Sequence, residues 1–451
     1  MLYRKTLEKL RAWKNEPNKK ALCIVGARQI GKTTIVREFA KEAYTNFLEL
    51  NFITDPQVGK IFGDSLSAEV LLENITAYAR RPLPKGKTLI LLDEIQECLN
   101  ARTAIKFLVE DGSFDYIATG SLLGTRYKEI KSFPVGFEEL YHMYPMDFEE
   151  FLLANNVQKE TFNYLRQCFD SLQPVSESVH ETLLKLFQTY IVVGGMPRIV
   201  QTYIDTHDIG LVLQEQRNIL EQYRLDITKY SSKKNKTKIT AIFDNIPAQL
   251  DDKNRRFMVG QIDKNGRMGR YEESFKWLED AGVALPCYNV VAPKAPLTLN
   301  TKYNLFKLYF GDIGLLCAAS MNNVQLEILQ GNLKINLGSI LENVIAQQLK
   351  ANGFGLNYFN SKKYGEIDFV VQRGQDIDVL EIKSGNEYKK HNALRNVLAV
   401  EDWKIHKAMV FCKGNIEEVD GVLYFPWYMS MFLHTKDISV GTFHIVDTSG
   451  L

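Results

Sequence analysis

Hydrophobic residues come in short unbroken runs, separated by longer stretches in which they recur every three or four positions. Ala21-Leu22-Cys23-Ile24-Val25 and Thr88-Leu89-Ile90-Leu91-Leu92 are runs of the first kind, and residues 47–52 and Asp115-Tyr116-Ile117-Ala118-Thr119 read as further strands. Apolar or β-branched residues at consecutive positions face both sides of a pleat, so the run at 88–92 predicts a strand buried on both faces, as in a parallel sheet. Between them the rhythm is helical. Leu2, Leu7, Leu10 and Trp13 predict a lead-in helix over residues 2–14. Residues 34–40 predict a second helix and residues 66–79 a third, closed by Arg80-Arg81-Pro82.

Beyond residue 150 the helical rhythm takes over. Phe151-Leu152-Leu153 and residues 181–190 predict helices, and residues 208–235 predict a long one with Glu215, Arg217, Glu221, Tyr223, Arg224 and Asp226 on polar faces. Lys229, Lys233, Lys234, Lys236 and Lys238 then read as a basic loop. Helices over residues 239–250 and 271–281, followed by strands over 283–291 and 303–308, suggest a winged helix, a fold that places a helix in the DNA major groove. The lysines would contact phosphates without reading sequence; the plainer reading is a solvated loop. Residues 320–334 are polar and read as a linker. From Asn336 the pattern is helix to Leu349, then strands over 365–371 and 377–383.

Bulk properties narrow the picture only slightly. The 451 residues are enough for two to four domains, 45% are hydrophobic, and the net charge is +1. So balanced a charge supplies no global argument for nucleic acid or a membrane surface. Six cysteines are scattered without a C-x-x-C pair or zinc spacing to the seven histidines, which suggests buried thiols in a reducing compartment. The N-terminal stretch is charged and amphipathic rather than a signal peptide, and no apolar run reaches membrane-spanning length. The expected location is cytoplasmic.

Chemistry concentrates first at Gly26-Ala27-Arg28-Gln29-Ile30-Gly31-Lys32-Thr33, with Thr34 following. The stretch fits G-x-x-x-x-G-K-[ST] between a predicted strand and a predicted helix. Backbone amides and the helix N-terminus there cradle phosphates, Lys32 reaches the β- and γ-phosphates, and Thr33 holds Mg²⁺. The strand at 88–92 ends in Asp93-Glu94. Strand C-termini of an open parallel sheet face the ligand crevice, so Asp93 is a candidate Mg²⁺ ligand and Glu94 a candidate base for the attacking water. The strand at 115–119 ends in Gly120-Ser121, and Ser121 is a candidate γ-phosphate or water contact, or alternatively a helix cap.

Together these three strand ends resemble an AAA-family ATPase core with Walker A, Walker B and sensor 1. Joined with Tyr144-Pro145-Met146-Asp147-Phe148-Glu149-Glu150-Phe151 and Gly194-Gly195-Met196-Pro197, they resemble a group of prokaryotic ATPases whose C-terminal half is nuclease-like. The likeness runs to about Phe432. It implies an α/β fold: a P-loop core with a parallel sheet over residues 1–150, a helical lid over 151–230 and a winged-helix segment over 231–319. A linker over 320–332, a restriction-endonuclease-like α/β domain over 333–432 and a tail over 433–451 complete it. It also implies Arg198 as a sensor-2-like residue. Phe137 stands where relatives often carry an arginine, so no arginine finger is assigned; Arg102 and Arg126 are the remaining candidates.

A second chemical pattern lies in the last third. Alternation in Glu381-Ile382-Lys383 puts Glu381 and Lys383 on one strand face, and a turn through Gly374 brings Asp368 to meet Glu381 across a hairpin. With Glu342 from the preceding helix, three carboxylates and a lysine describe a Mg²⁺ site, the acids holding metal and Lys383 activating water. The arrangement resembles the PD-(D/E)xK nuclease fold. The function expected from the whole is Mg²⁺-dependent ATP hydrolysis coupled to a DNA-binding or DNA-cleaving C-terminal domain. The alternative is a nucleotide-dependent switch or scaffold with an inactive nuclease-like domain that binds DNA or a protein. The partners implied are ATP, DNA, and a second copy or a protein partner.

Overall fold

The computed structural model describes residues 2–63, 65–121, 134–231, 233–252, 255–321, 325–330 and 337–435. In chain order the first elements are α1 (Thr6–Lys14), β1 (Ala21–Val25), α2 (Lys32–Ala43), β2 (Asn46–Asn51), α3 (Ala68–Ala79), β3 (Thr88–Asp93), α4 (Leu99–Asp111), β4 (Asp115–Gly120), β5 (Glu138–His142) and α5 (Phe148–Ala154). The strands form one sheet in the order β2-β3-β4-β1-β5, with parallel neighbours throughout. Every residue of β1 and β3 is buried, which is why their sequences are unbroken apolar runs. On one face Leu50, Ile90, Leu92 and Ala118 join Leu71 and Ile75 of α3 and Ala101, Ile105 and Leu108 of α4 in a common core.

The middle of the chain is α6 (Lys159–Ser171), α7 (Glu177–Val193), α8 (Pro197–Thr206), α9 (Ile209–Tyr230), α10 (Lys233–Asp251), α11 (Val259–Ile262), α12 (Glu272–Asp280), β6 (Ala284–Val290), α13 (Leu297–Asn300), β7 (Thr301–Phe310), α14 (Ile313–Ser320) and α15 (Gln325–Leu329). The last third contains α16 (Gly338–Ala351), β8 (Asn357–Ser361), β9 (Gly365–Ile367), β10 (Phe369–Arg373), β11 (Asp376–Ile382), α17 (Asn392–Leu398), β12 (Ile405–Cys412), β13 (Glu417–Val419) and β14 (Val422–Pro426).

The chain divides into two compact units. The first comprises Met1–Thr161, Lys185–Pro286 and Lys307–Gln347; the second comprises Phe162–Leu184, Cys287–Phe306 and Gln348–Leu451. Within the second unit, the sheet order is β10-β11-β12-β14-β13. β10 and β11 are antiparallel, β12 lies parallel to both β11 and β14, and Val379, Val410 and Val422 stand in its core. Phe169 of α6 belongs to this unit because its ring packs on Phe425 and Phe432, at centroid distances of 4.8 and 5.6 Å.

Several expectations are revised. The basic loop is largely helical: α9 runs to Tyr230 and α10 begins at Lys233, so Lys229, Lys236 and Lys238 are helix residues. Apolar residues on the far side, including Ile239, Ile242 and Phe243, are buried and carry the helix through the lysines. The stretch read as a linker contains the short helix α15, anchored by the buried Gln325 side chain donating to Cys317 O at 3.0 Å. Most of the tail, from residue 436, lies outside the described residues. No described helix is long and apolar enough to cross a membrane.

Candidate functional site

The phosphate-binding loop is the turn from β1 into α2. Gly26 is required twice over: its φ is +147°, and a Cβ there would lie 2.1 Å from Met143 O. Lys32 opens α2, is buried, and donates to Gly26 O at 2.9 Å and Ala27 O at 2.7 Å. Burial pulls its ammonium down to about 8, against the attraction of Glu94 and Asp93. The loop carbonyls thus hold the lysine where phosphate oxygens would draw it out. Thr34, the third residue of α2, is exposed.

β3 lies two strands from β1, and its C-terminal carboxylate comes back to the loop. Asp93 Oδ1 accepts from Thr33 Oγ1 at 2.7 Å and from the Thr119 hydroxyl, and Asp93 Oδ2 accepts from Asn51 Nδ2 at 2.7 Å. Adjacent oxygens of an octahedral Mg²⁺ shell stand roughly 2.9 Å apart, so Thr33 and Asp93 fit such an ion. Glu94 takes a left-handed conformation, φ +56°, which turns its side chain out of the strand. Its Oε2 accepts from Gln96 Nε2 at 2.6 Å and from Ser121 Oγ at 3.4 Å. The first turn of α2, carrying Thr33, and the ends of β3 and β4, leading to Asp93–Glu94 and Ser121, therefore converge.

The other predicted groups are mixed. Pro197 reaches the loop, since a Cβ on Gly31 would sit 3.9 Å from Pro197 Cγ. The next residue, Arg198, has a 78% exposed side chain and an ion pair to Glu215 at 3.3 Å. Arg102 has a side chain only 1% exposed and is bonded to Glu138 at 2.8 Å, so it is a core residue and not an arginine presented to a neighbour. Arg126 lies outside the described residues.

Five residues that sequence reasoning missed shape the site. Buried Arg4 donates to Ile30 O at 2.8 Å and Tyr144 O at 2.6 Å, bracing the loop from outside. Asn51 pairs in register with Asp93 across β2 and β3, and Gln96 holds Glu94. Asp226 pairs with Arg28 at 2.5 Å. Fully buried Asp312 accepts from Gly195 N at 2.7 Å and Leu315 N at 3.0 Å. Burial raises its carboxyl to about 6 against those amide bonds. The strand-end rule could have found Asn51; nothing local marks Asp226 or Asp312.

In the second unit the hairpin forms as the alternation requires. Phe369 pairs with Leu380, so Asp368, one residue earlier, meets Glu381. Asp368 Oδ2 accepts from Ile382 N at 2.8 Å, and Lys383 Nζ donates to Glu381 Oε1 at 2.9 Å. Both carboxylates are largely buried. Glu342 belongs to the first unit. There its Oε2 accepts from Lys307 Nζ at 3.1 Å and Tyr309 OH at 2.9 Å, and Arg255 pairs with its Oε1. Its surroundings are those of a buried carboxylate already neutralised by cations. Among the described residues, no group of three or more His, Cys, Asp or Glu is arranged to hold a metal ion.

Three family models match the chain in succession. Residues 18–152 match an AAA domain, residues 184–326 a domain of unknown function (DUF8612), and residues 337–428 another (DUF4143). No curated protein matches. Among solved structures, the Walker-type ATPase PABY2304 of Pyrococcus abyssi is 13% identical, over 71% of this chain and 96% of its own, with a TM-score of 0.42. The Aeropyrum pernix ORC1 protein, solved in complex with DNA, is 13% identical over 71% and 93%, with a TM-score of 0.30. The Thermotoga maritima RuvB Holliday junction branch migration motor is 15% identical over 63% and 89%, with a TM-score of 0.27. Residues 18–152, by their family match, are an AAA-type P-loop ATPase domain.

Proposed function

We propose that the protein hydrolyses ATP with Mg²⁺ at the P-loop, and that this cycle controls the action of its C-terminal region on DNA. The observation that carries the reading is the meeting of Thr33, Asp93 and Glu94 at one place, with Thr33 Oγ1 2.7 Å from Asp93 Oδ1. The loop amides and the N-terminus of α2 receive the phosphates, and Lys32 exchanges its two carbonyl partners for phosphate oxygens. Thr33 and Asp93 would hold Mg²⁺, which would supply neutralising charge to the phosphates. Glu94 positions the attacking water and accepts its proton, while Ser121 orients the same water or the γ-phosphate. Arg198, exposed beside Pro197, senses the phosphates from α8. A second copy supplying an arginine would complete the site, as AAA-type cores commonly require.

Two helices and two strands in the order α10, α12, β6, β7 support a winged-helix reading of residues 231–319. The meeting of Asp368, Glu381 and Lys383 supports a PD-(D/E)xK reading of residues 333–432, with cleavage of DNA as the activity. The engagement of Glu342 by Lys307, Tyr309 and Arg255 favours a second reading. In it the C-terminal domain binds DNA or a protein without cutting, and nucleotide acts as a switch.

Glu94→Gln tests the central claim. ATP affinity stays within about twofold of the parent, while steady-state hydrolysis falls by roughly 10²–10⁴. Turnover at the parent rate would remove Glu94 from the mechanism.

A further inference from the structure

Three residues on one face of α9 grip two neighbouring residues of the phosphate loop. Asp226 Oδ1 receives Arg28 Nη1 at 2.5 Å, Tyr223 OH donates to Arg28 O at 3.3 Å, and the side chain of Gln222 accepts from that of Gln29. Positions 222, 223 and 226 lie on one side of a helix, so the contacts form a continuous strap. Arg28 is the second cation of the loop, after Lys32. Its backbone carbonyl is held only by the long Tyr223 contact, so the ion pair with Asp226 is the shorter of these two ties between α9 and Arg28.

The charge arrangement gives that pair another meaning. Asp226 is a third acid near the site, after Asp93 and Glu94, and feels Glu94 as a like charge. A carboxylate facing a polyanion site opposes binding unless a cation covers it. Arg28 covers it in this arrangement, and the same guanidinium cannot fully serve both the carboxylate and a triphosphate. Lys229, three residues further along α9, also attracts Asp226.

Building on the P-loop reading above, we propose that the Arg28–Asp226 pair is a nucleotide-sensitive latch. While the pair is closed, Asp226 holds Arg28 back from the phosphates. The γ-phosphate of ATP wins Arg28, the pair opens, and α9 loosens from the loop. ADP carries one negative charge fewer and opens it less. Since α9 lies in the segment 184–326, nucleotide state passes directly from the loop into that region.

The test compares Mg·ATP and Mg·ADP binding by the full chain and by Asp226→Asn, with hydrogen exchange followed over residues 222–229. With the latch removed, ATP binds on the order of tenfold tighter, while ADP changes by less than about threefold, because the competent state no longer has to be won from Asp226. In the parent, ATP speeds exchange over residues 222–229 and ADP does so weakly; in Arg28→Gln the ATP response is lost. Unchanged or weaker ATP binding by Asp226→Asn overturns the latch. Should that variant not fold, absence of an ATP response in the parent overturns it equally. If the parent binds ATP without these effects, the latch fails and the P-loop reading stands; if the parent binds no ATP, the P-loop reading fails with it.

Discussion

Lys32 shows how one residue can be placed at the expense of stability. It is buried without a directly bonded carboxylate, and burial holds its ammonium near 8. At neutral pH the ammonium still predominates, but burial makes it costlier than in water, and it is held for the ligand. Replacing it with an apolar side chain of similar length should therefore separate function from stability. In Lys32→Met, nucleotide affinity falls roughly a hundredfold or more, as loss of charge-assisted phosphate contacts requires. The melting temperature of the nucleotide-free protein stays level or rises, because a buried cation has been removed. Calorimetric titration and a thermal melt check both halves, and retained affinity would dissociate Lys32 from the phosphates. The sequence motif made Lys32 legible. It left the left-handed turn at Glu94 invisible, since a non-glycine residue there is held by Gln96 and Ser121, two and 27 residues on.

Elements around the loop are joined by a few buried polar side chains. Asp312 caps α14 through Leu315 N and also takes Gly195 N, just before α8. Gly282 packs so tightly that a Cβ there would lie 2.8 Å from Ala27 N, and its φ is +70°. Asp312→Ala leaves two buried amides unpaired and should cost about 2–4 kcal/mol in chemical denaturation. Asp312→Asn refines the test. The carboxyl's folded value, about 6, lies above the ordinary 3.8. The folded state therefore binds the extra proton. This contribution is fully present below about 3.8 and is lost as pH rises to about 6. That part of the stability–pH curve should vanish in the Asn variant; an unchanged slope between these values would exclude Asp312 as its source. Helices and strands here were largely legible from periodicity: β3 is Thr88–Asp93, and α3 is Ala68–Ala79. One exception was the lysine-rich stretch, where charge masked the buried Ile239 and Ile242 of α10; others were α4 and β5, which the periodicity did not pick out.

At the scale of the molecule, the question is whether the ATPase domain governs the C-terminal chemistry. If it does, purified protein with Mg²⁺ or Mn²⁺ cuts plasmid, linear or single-stranded DNA in an ATP-dependent manner. Asp368→Ala abolishes cleavage and leaves ATP hydrolysis within about twofold, since Asp368 belongs to a different unit from the phosphate loop and takes no part in its hydrogen bonds. Glu94→Gln alters the ATP dependence of cleavage. DNA left uncut by the parent under all these conditions would favour the switch reading.

The local turns and strand faces were legible in the sequence because each depends on short spacing. Eight residues from Gly26 to Thr33 define a turn between strand and helix, and Glu381-Ile382-Lys383 defines a strand face. The hairpin through Gly374 followed from the same alternation, and it brings Asp368 to Ile382 N. Partners contributed by distant segments were not legible. Asp226 reaches Arg28 across 198 positions, Asp312 reaches Gly195 across 117, and Lys307 meets Glu342 across 35. Periodicity reports which face of an element is buried, and only tertiary packing decides which polar group waits on that face. That is why sequence alone identified Glu342 as a carboxylate of interest, while the fold surrounded it with Lys307, Tyr309 and Arg255.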